Sequence, residues 1–167
     1  MWHDDECHGH GEIKYEDGSS YEGLWKHDKK DGRGTEHGAD HTKYEGQFEE
    51  GEKHGRGIYY WKDGSKFEGE FEHNHMMHGR AEFNDGSVYE GGFIDGRKEG
   101  EGVFMFIDGN VYKGQYKNDE KHGDGEFTYS NGGSYVGQFE NGRMHGHGKF
   151  TDHEGASKTG IWHKDDY

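Results

Sequence analysis

A tyrosine-glycine-aromatic signature recurs about every 23 residues along the chain. In each copy a glycine lies two residues after a tyrosine or phenylalanine, and a second aromatic residue follows two positions later, as in Tyr44-Glu45-Gly46-Gln47-Phe48. A fixed period of this length is typical of a repeat array, in which each unit is one supersecondary element that cannot bury its apolar face alone. The period therefore predicts that function lies along an extended surface rather than in one pocket.

A second signature lies out of phase with the first and predicts hairpins. It is a Gly-x-Gly pair such as Gly55/Gly57, followed by aromatic residues and a turn signal such as Asp63-Gly64. Asp-Gly between alternating apolar runs is a strong hairpin signal, because its residues tolerate positive φ. The predicted fold is all-β: an elongated single-layer antiparallel sheet of about seven stacked hairpins. The recurrent glycines should form sockets into which the rings of a neighbouring strand fit.

Composition limits the core and the partners. Only 26% of the residues are hydrophobic, against about 45–50% in a typical domain, so a two-layer core is excluded. The formal charge of −15 should repel both nucleic acid and anionic lipid surfaces, so neither is an expected partner. Cys7 is the single cysteine, and neither a signal peptide nor a spanning segment is recognised. These features predict a soluble, cytoplasmic protein.

The predicted domain organisation is an acidic tip over residues 1–6 and one continuous repeat array over 7–167. The third repeat departs from the pattern. The sequence reads there as an extra residue within His73–His78, an alanine at 81 in place of a glycine, and two residues lost before the next turn. Either this is a tolerated loop change, or Met76 and Met77 form a kink or a partner-specific patch.

Histidines are the first candidates for chemistry, because one precedes most Gly-x-Gly pairs, as at His54 and His122. Equivalent residues of adjacent repeats should lie about 10 Å apart, which is too far to share a metal bound at about 2 Å. The amino-terminal stretch with His3, Cys7 and His8 could bind Cu²⁺ through a free terminus, or could be a solvated tail. No metal or cofactor site is predicted.

No catalytic residues are predicted either. The sequence shows no nucleophile beside a base with an orienting third group, and Cys7 next to His8 lacks any sign of a cavity. The Gly-x-Gly pairs lack the Lys-Ser/Thr of a phosphate-binding loop. The chain is therefore expected to be non-enzymatic.

The pattern Tyr-Glu-Gly-x-Phe/Trp, then His-Gly-x-Gly, then Asp-Gly resembles the MORN repeat (membrane occupation and recognition nexus) over most of the chain. The resemblance implies β-hairpins stacked into an elongated groove. It also implies a repeat-only scaffold or an axonemal protein such as a radial spoke head component, in a cilium or another cytoskeletal assembly. The alternative function is a membrane-associated tether that binds acidic phospholipids. The local basic run Lys26–Lys30 is the best candidate for such a contact, although a solvated hairpin tip is the preferred interpretation.

The expected partners are other proteins, held as a helix or an extended segment on the aromatic face. End-to-end self-association or pairing with another MORN protein is a further possibility. The aromatic stripe has no covering layer within the chain, so Phe93 and Tyr116 near its centre should be accessible. Rings offer large contact areas at low entropic cost, so binding energy should concentrate on them. The predicted partner-binding residues are Tyr44, Phe48, Phe71, Tyr89, Phe93, Tyr112, Tyr116, Tyr135 and Phe139, with the second-strand rings Trp61, Phe106 and Tyr129.

Overall fold

A computed structural model describes residues 2–3 and 6–166 of the chain, and the side chains from residue 6 onward. The chain divides into two compact units, Met1–Asn84 and Asp85–Tyr167. All sixteen regular elements of the described residues are β-strands, and this part contains no helix that could cross a membrane. The prediction of an all-β fold made of stacked hairpins is confirmed.

The first unit contains a small hairpin and seven further strands that pair antiparallel in chain order. Neighbours in sequence are therefore neighbours in the sheet, which remains open. The strands are β1 (Trp2–His3), β2 (Glu6–Cys7), β3 (Gly9–Lys14), β4 (Ser20–Lys26), β5 (Lys29–His37), β6 (Lys43–Glu49), β7 (Glu52–Tyr60), β8 (Lys66–Glu72) and β9 (His75–Glu82).

The second unit repeats this arrangement with seven strands, again antiparallel and in chain order. Each pair of strands forms one hairpin of the array. The strands are β10 (Val88–Ile94), β11 (Arg97–Met105), β12 (Val111–Lys117), β13 (Glu120–Thr128), β14 (Ser134–Glu140), β15 (Arg143–Thr151) and β16 (Ser157–Trp162).

Two kinds of turn alternate along the chain. At the predicted Asp-Gly turns the aspartate closes the loop, as where the Ser87 amide donates to Asp85 Oδ1 at 2.8 Å. The second kind is a two-residue turn with positive φ at both positions, such as Asn118 (φ 49°) and Asp119 (φ 71°). This conformation is that of the type I′ hairpin turn. The sequence prediction named only the first kind, although Asn141-Gly142 is a type I′ signal too.

The core of each unit is a zigzag of edge-to-face rings. In the second unit, Tyr112 contacts Tyr116 of its own strand and Phe139 of the next repeat, with ring centroids 5.1 Å apart in both cases. Such geometry is favourable for aromatic pairs. The Tyr112 hydroxyl donates to the Gln115 carbonyl oxygen at 2.7 Å, and burial raises the pKa of this tyrosine. Each tyrosine thus joins two repeats.

The glycine sockets are confirmed, with one correction. One ring serves both glycines of a pair: the Tyr112 side chain lies over Gly114 of its own strand, as well as over Gly125 of the neighbouring strand. A β-carbon on Gly114 would lie 2.5 Å from the Gly125 α-carbon. Only a residue without a side chain fits at these paired positions, and the tyrosine fills the space that this leaves.

The predicted reading of the third repeat is wrong. Gly79 pairs with Gly69 just as Gly57 pairs with Gly46, so Gly79 occupies the second glycine position rather than the first. Ala81 lies opposite Phe67, where most other repeats carry a ring. The repeat has lost one residue from its bulge, the positive-φ glycine found at position 55 in the preceding repeat. A bulge therefore remains in this repeat, but it is one residue shorter than in the preceding repeat.

Candidate partner-binding surface

Nine of the predicted partner-binding rings are buried. They are the first-strand residues Tyr44, Phe48, Phe71, Tyr89, Phe93, Tyr112, Tyr116, Tyr135 and Phe139. The sequence argument expected an uncovered aromatic stripe, with Phe93 and Tyr116 accessible at its centre. That expectation of accessibility is wrong, because the rings pack on one another and on the glycine sockets. Phe93 and Tyr116 are 7% and 5% exposed, so these rings hold the repeats together.

The three remaining predicted residues, Trp61, Phe106 and Tyr129, are half-buried. In the second unit Phe106 and Tyr129 belong to a contiguous set of half-buried second-strand rings, which we call the ring stripe. Phe104 stacks on Phe106 at 4.5 Å, and Phe127 stacks on Tyr129 at 4.8 Å. The ring stripe comprises Phe104, Phe106, Phe127, Tyr129 and Phe150. It is the accessible part of the aromatic face in the second unit.

Lysine side chains extend beside these rings, a feature that the sequence analysis missed. Lys121 lies opposite Tyr116 in the sheet, and its Nζ is 4.7 Å from the centroid of the Phe127 ring. Burial lowers the pKa of Lys121, although Asp165 opposes this effect. Within the described part of the chain, no carboxylate lies at ion-pair distance from this ammonium group. Lys98, one repeat earlier, does pair with Asp119 at 3.2 Å.

The first unit carries a carboxylate where the second has rings. Glu36 lies opposite Tyr21, as Phe127 lies opposite Tyr112. The Glu36 carboxylate accepts hydrogen bonds from Lys30 and from Lys53, the latter at 2.8 Å. Desolvation raises the pKa of Glu36, but the two lysines outweigh it and hold the pKa below its ordinary value. Lys30 and Lys53 are therefore neutralised internally.

The opposite face of the first unit contains a groove of about 740 Å³ above the paired glycines. Its charged lining is mixed, with Glu45 beside Arg33 and Arg56, and Leu24 and Ile58 supply apolar surface. Glu45 also pairs with Lys43 at 2.6 Å, so a change at Glu45 is not a neutral control for binding.

The basic run Lys26–Lys30 was the best candidate for contact with acidic lipids. In the structure, Lys29 pairs with Glu50 at 2.7 Å, and Lys30 pairs with Glu36. Two of its three lysines are thus engaged by carboxylates. In the predicted amino-terminal ligand set of His3, Cys7 and His8, the His3 side chain lies outside the described residues, and Cys7 and His8 are half-buried.

Comparison with known families decides the identity of the repeat. The MORN repeat family matches the chain in seven consecutive copies, at residues 1–20, 21–43, 44–66, 67–88, 89–111, 112–134 and 135–157. This chain is a MORN-repeat protein. The short fourth match, 67–88, is the repeat described above as the third, which lacks one bulge residue.

No curated protein matches the sequence significantly. Solved structures similar to this MORN-repeat chain include the TCP domain of Drosophila melanogaster SAS-4 in complex with a proline-rich motif of Ana2. It is 14% identical with a TM-score of 0.48, and the match covers 92% of this chain and 90% of that chain. The TCP10 domain of Danio rerio CPAP, in complex with a STIL peptide, is 13% identical with a TM-score of 0.29, covering 94% and 98%. At these scores neither structure bears on function.

Proposed function

We propose that this MORN-repeat protein is a non-catalytic scaffold that holds a helix or an extended segment of a partner protein on the ring stripe. The observation that supports the proposal is the position of Lys121 beside half-buried rings, with no carboxylate to pair with it among the described residues. A half-buried charge without a partner is unfavourable and gains from an incoming opposite charge. The segment that fits best combines apolar side chains with an aspartate or glutamate.

The repeats themselves provide conservative substitutions for the test. Met144 and Met76 occupy the position of Lys121 in other repeats, so Lys121→Met removes the charge but keeps a side chain that the fold accepts. Ala81 occupies the position of Phe127, so Phe127→Ala removes a ring in the same way. Lys113→Met, on the opposite face of the same hairpin, is the matched control.

The experiment selects random displayed peptides on the whole chain and measures the selected peptides by fluorescence anisotropy. We expect sequences in which an acidic residue is flanked by apolar ones. Lys121→Met should weaken their binding about tenfold, or about 1.4 kcal/mol, and Phe127→Ala by about 2 kcal/mol. The proposal fails if no peptide is selected, or if Lys113→Met weakens binding as much as the ring-stripe variants do.

We further propose that the scaffold is cytoplasmic and belongs to a ciliary axoneme or another cytoskeletal assembly, a proposal that membership of the MORN family supports. Crosslinking mass spectrometry of the native assembly tests this placement. End-to-end self-association, or pairing with another MORN protein, would use the edge strands β3 and β16, each of which pairs on one side only in the described sheet. The lipid tether is less favoured, because carboxylates engage Lys29 and Lys30.

A further inference from the structure

Three potential metal ligands, Glu6, His8 and His27, converge near the start of the chain. We call the part of the array that holds them the first hairpin, so that the equivalent positions of the third and sixth hairpins begin at Glu52 and Glu120. Glu6 Oε2 lies 2.7 Å from His27 Nδ1 and 3.5 Å from His8 Nε2. One ligand atom from each residue lies within 4.8 Å of the other two. The two imidazole rings meet edge to face, with centroids 4.8 Å apart. Two nitrogen ligands and one oxygen ligand therefore surround a common point.

The backbone holds these side chains together. Glu6 begins β2 and His8 follows directly after this strand, which brings Glu6 Oε2 within 3.5 Å of His8 Nε2. The Cys7 amide donates to Asp28 Oδ1 at 2.7 Å, and the Asp28 amide donates to the Cys7 carbonyl oxygen at 3.4 Å. His27 has a φ of 49° in the adjoining turn. This pair of hydrogen bonds fixes the turn that carries His27 against the segment that carries the other two ligands.

We propose that Glu6, His8 and His27 form a binding site for a divalent transition metal, with Zn²⁺ as the best-fitting ion. Zn²⁺ accepts imidazole nitrogen and carboxylate oxygen at about 2.0–2.2 Å in a tetrahedral set, and water can complete three protein ligands. Small side-chain rotations would bring the three atoms to those distances. Ca²⁺ and Mg²⁺ fit less well, because they prefer sets made of oxygen ligands.

The other repeats show that this set is not a general feature of the array. The third hairpin repeats the residue types as Glu52, His54 and His73, and His73 Nδ1 lies 2.7 Å from Glu52 Oε2. There, however, His54 Nε2 pairs with Glu49 at 3.1 Å, so its imidazole is drawn to a different carboxylate. The sixth hairpin has Glu120, His122 and Asn141 at the equivalent positions.

A bound ion would crosslink residues 6 and 27. Any ligand that binds the folded state and not the unfolded one stabilises the folded state. The proposed site thus adds a fixed contact to the small hairpin β1–β2, besides the two hydrogen bonds between Cys7 and Asp28. It is distinct from Cu²⁺ binding at a free amino terminus, since it uses neither the terminal amine nor His3.

The test measures Zn²⁺ binding to the whole chain by competition with a chromogenic chelator. The chain contains fifteen histidines, so the measurement uses a His73→Asn background that removes the similar third-hairpin set. In this background His27→Asn recreates the Glu/His/Asn set of the sixth hairpin, with asparagine in a left-handed position that it tolerates. His122→Asn in the sixth hairpin is the matched control, and Glu6→Gln removes the carboxylate alone.

We expect His27→Asn to weaken the tightest Zn²⁺ site at least about tenfold, Glu6→Gln to weaken it as well, and His122→Asn to leave it unchanged. Side-chain ¹H–¹⁵N spectra should show the His8 and His27 imidazoles shifting first during the titration. The proposal is overturned if His122→Asn causes the same loss as His27→Asn. It is also overturned if substoichiometric Zn²⁺ shifts all the imidazole signals equally.

Discussion

Each of the two units has a core of the same kind, but the units differ in the residues that lie opposite the core rings on the neighbouring strand. Both contain tyrosines that lie over paired glycines, such as Tyr44 over Gly57 and Tyr112 over Gly125. Opposite the core rings of β4, β6 and β8, the first unit carries Glu36, Tyr59 and Ala81. At the same positions the second unit carries Phe104, Phe127 and Phe150. The core rings and their paired glycines therefore determine the fold, and the residues opposite the core rings determine the chemistry of the surface.

The largest effect is expected where the two units agree, at the paired glycines. Gly46→Val in the first unit and Gly114→Val in the second should each lower the free energy of unfolding by about 3 kcal/mol. The physical reason is the same in both: the added β-carbon would lie 2.5 Å from the α-carbon of the paired glycine. Urea denaturation followed by far-ultraviolet circular dichroism measures the loss.

Lys113→Val is the control for this comparison, because Lys113 is exposed on the opposite face. It should change stability by no more than about 0.5 kcal/mol. Gln115 is unsuitable, since its side-chain oxygen accepts a hydrogen bond from the Asp124 amide at 3.1 Å. Equal losses for Gly114→Val and Lys113→Val would show that the socket is not the constraint.

The next effect separates the units. Glu36→Gln should destabilise the first unit by about 1–2 kcal/mol at pH 7, because it leaves the half-buried Lys30 and Lys53 without their shared carboxylate. The folded-state pKa of Glu36 lies below its ordinary value of 4.5. The charged carboxylate thus contributes stability above that pH, and the contribution is lost as the pH falls through the folded pKa.

The difference between the wild type and Glu36→Gln should therefore shrink below about pH 4.5. Hydrogen exchange read by mass spectrometry locates the loss, which should fall on peptides of residues 1–84. A difference that stays constant through this pH range would show that Glu36 acts through packing rather than charge. Loss of protection in the second unit alone would contradict the assignment.

The sequence predicted the shared core better than the surface row. Period and alternation placed Tyr44, Gly46 and Phe48 on one face, and the structure agrees. Alternation cannot show that such a face is covered, because the covering rings belong to the same row and to adjacent repeats. That is why Phe93 and Tyr116 were expected to be accessible but are buried.

Other misses have equally local causes. The contact of His8 with His27 joins a residue between β2 and β3 to a residue in the turn after β4, whereas only equivalent histidines about 10 Å apart were compared in the sequence. The third repeat was misaligned because Gly79 and Ala81 resemble a Gly-x-Gly pair, and only strand register shows that the first glycine is missing. Register is fixed by pairing partners, which a single-sequence pattern does not contain.

The smallest effect concerns the two lysines that occupy the same position in the two units. Lys53 and Lys121 lie opposite Phe48 and Tyr116, respectively, but only Lys53 has a described carboxylate partner, Glu36. Lys53→Met should lower stability by about 1 kcal/mol, because it removes an ion pair whose cation is only 17% exposed. Lys121→Met should be neutral or stabilising by up to about 1 kcal/mol, since burial already disfavours its charge. Thermal unfolding of the two variants at pH 7 measures the contrast.

If Lys121→Met lowers stability as much as Lys53→Met does, the Lys121 ammonium has a stabilising role within the chain. The reason to place a partner's carboxylate beside it then disappears.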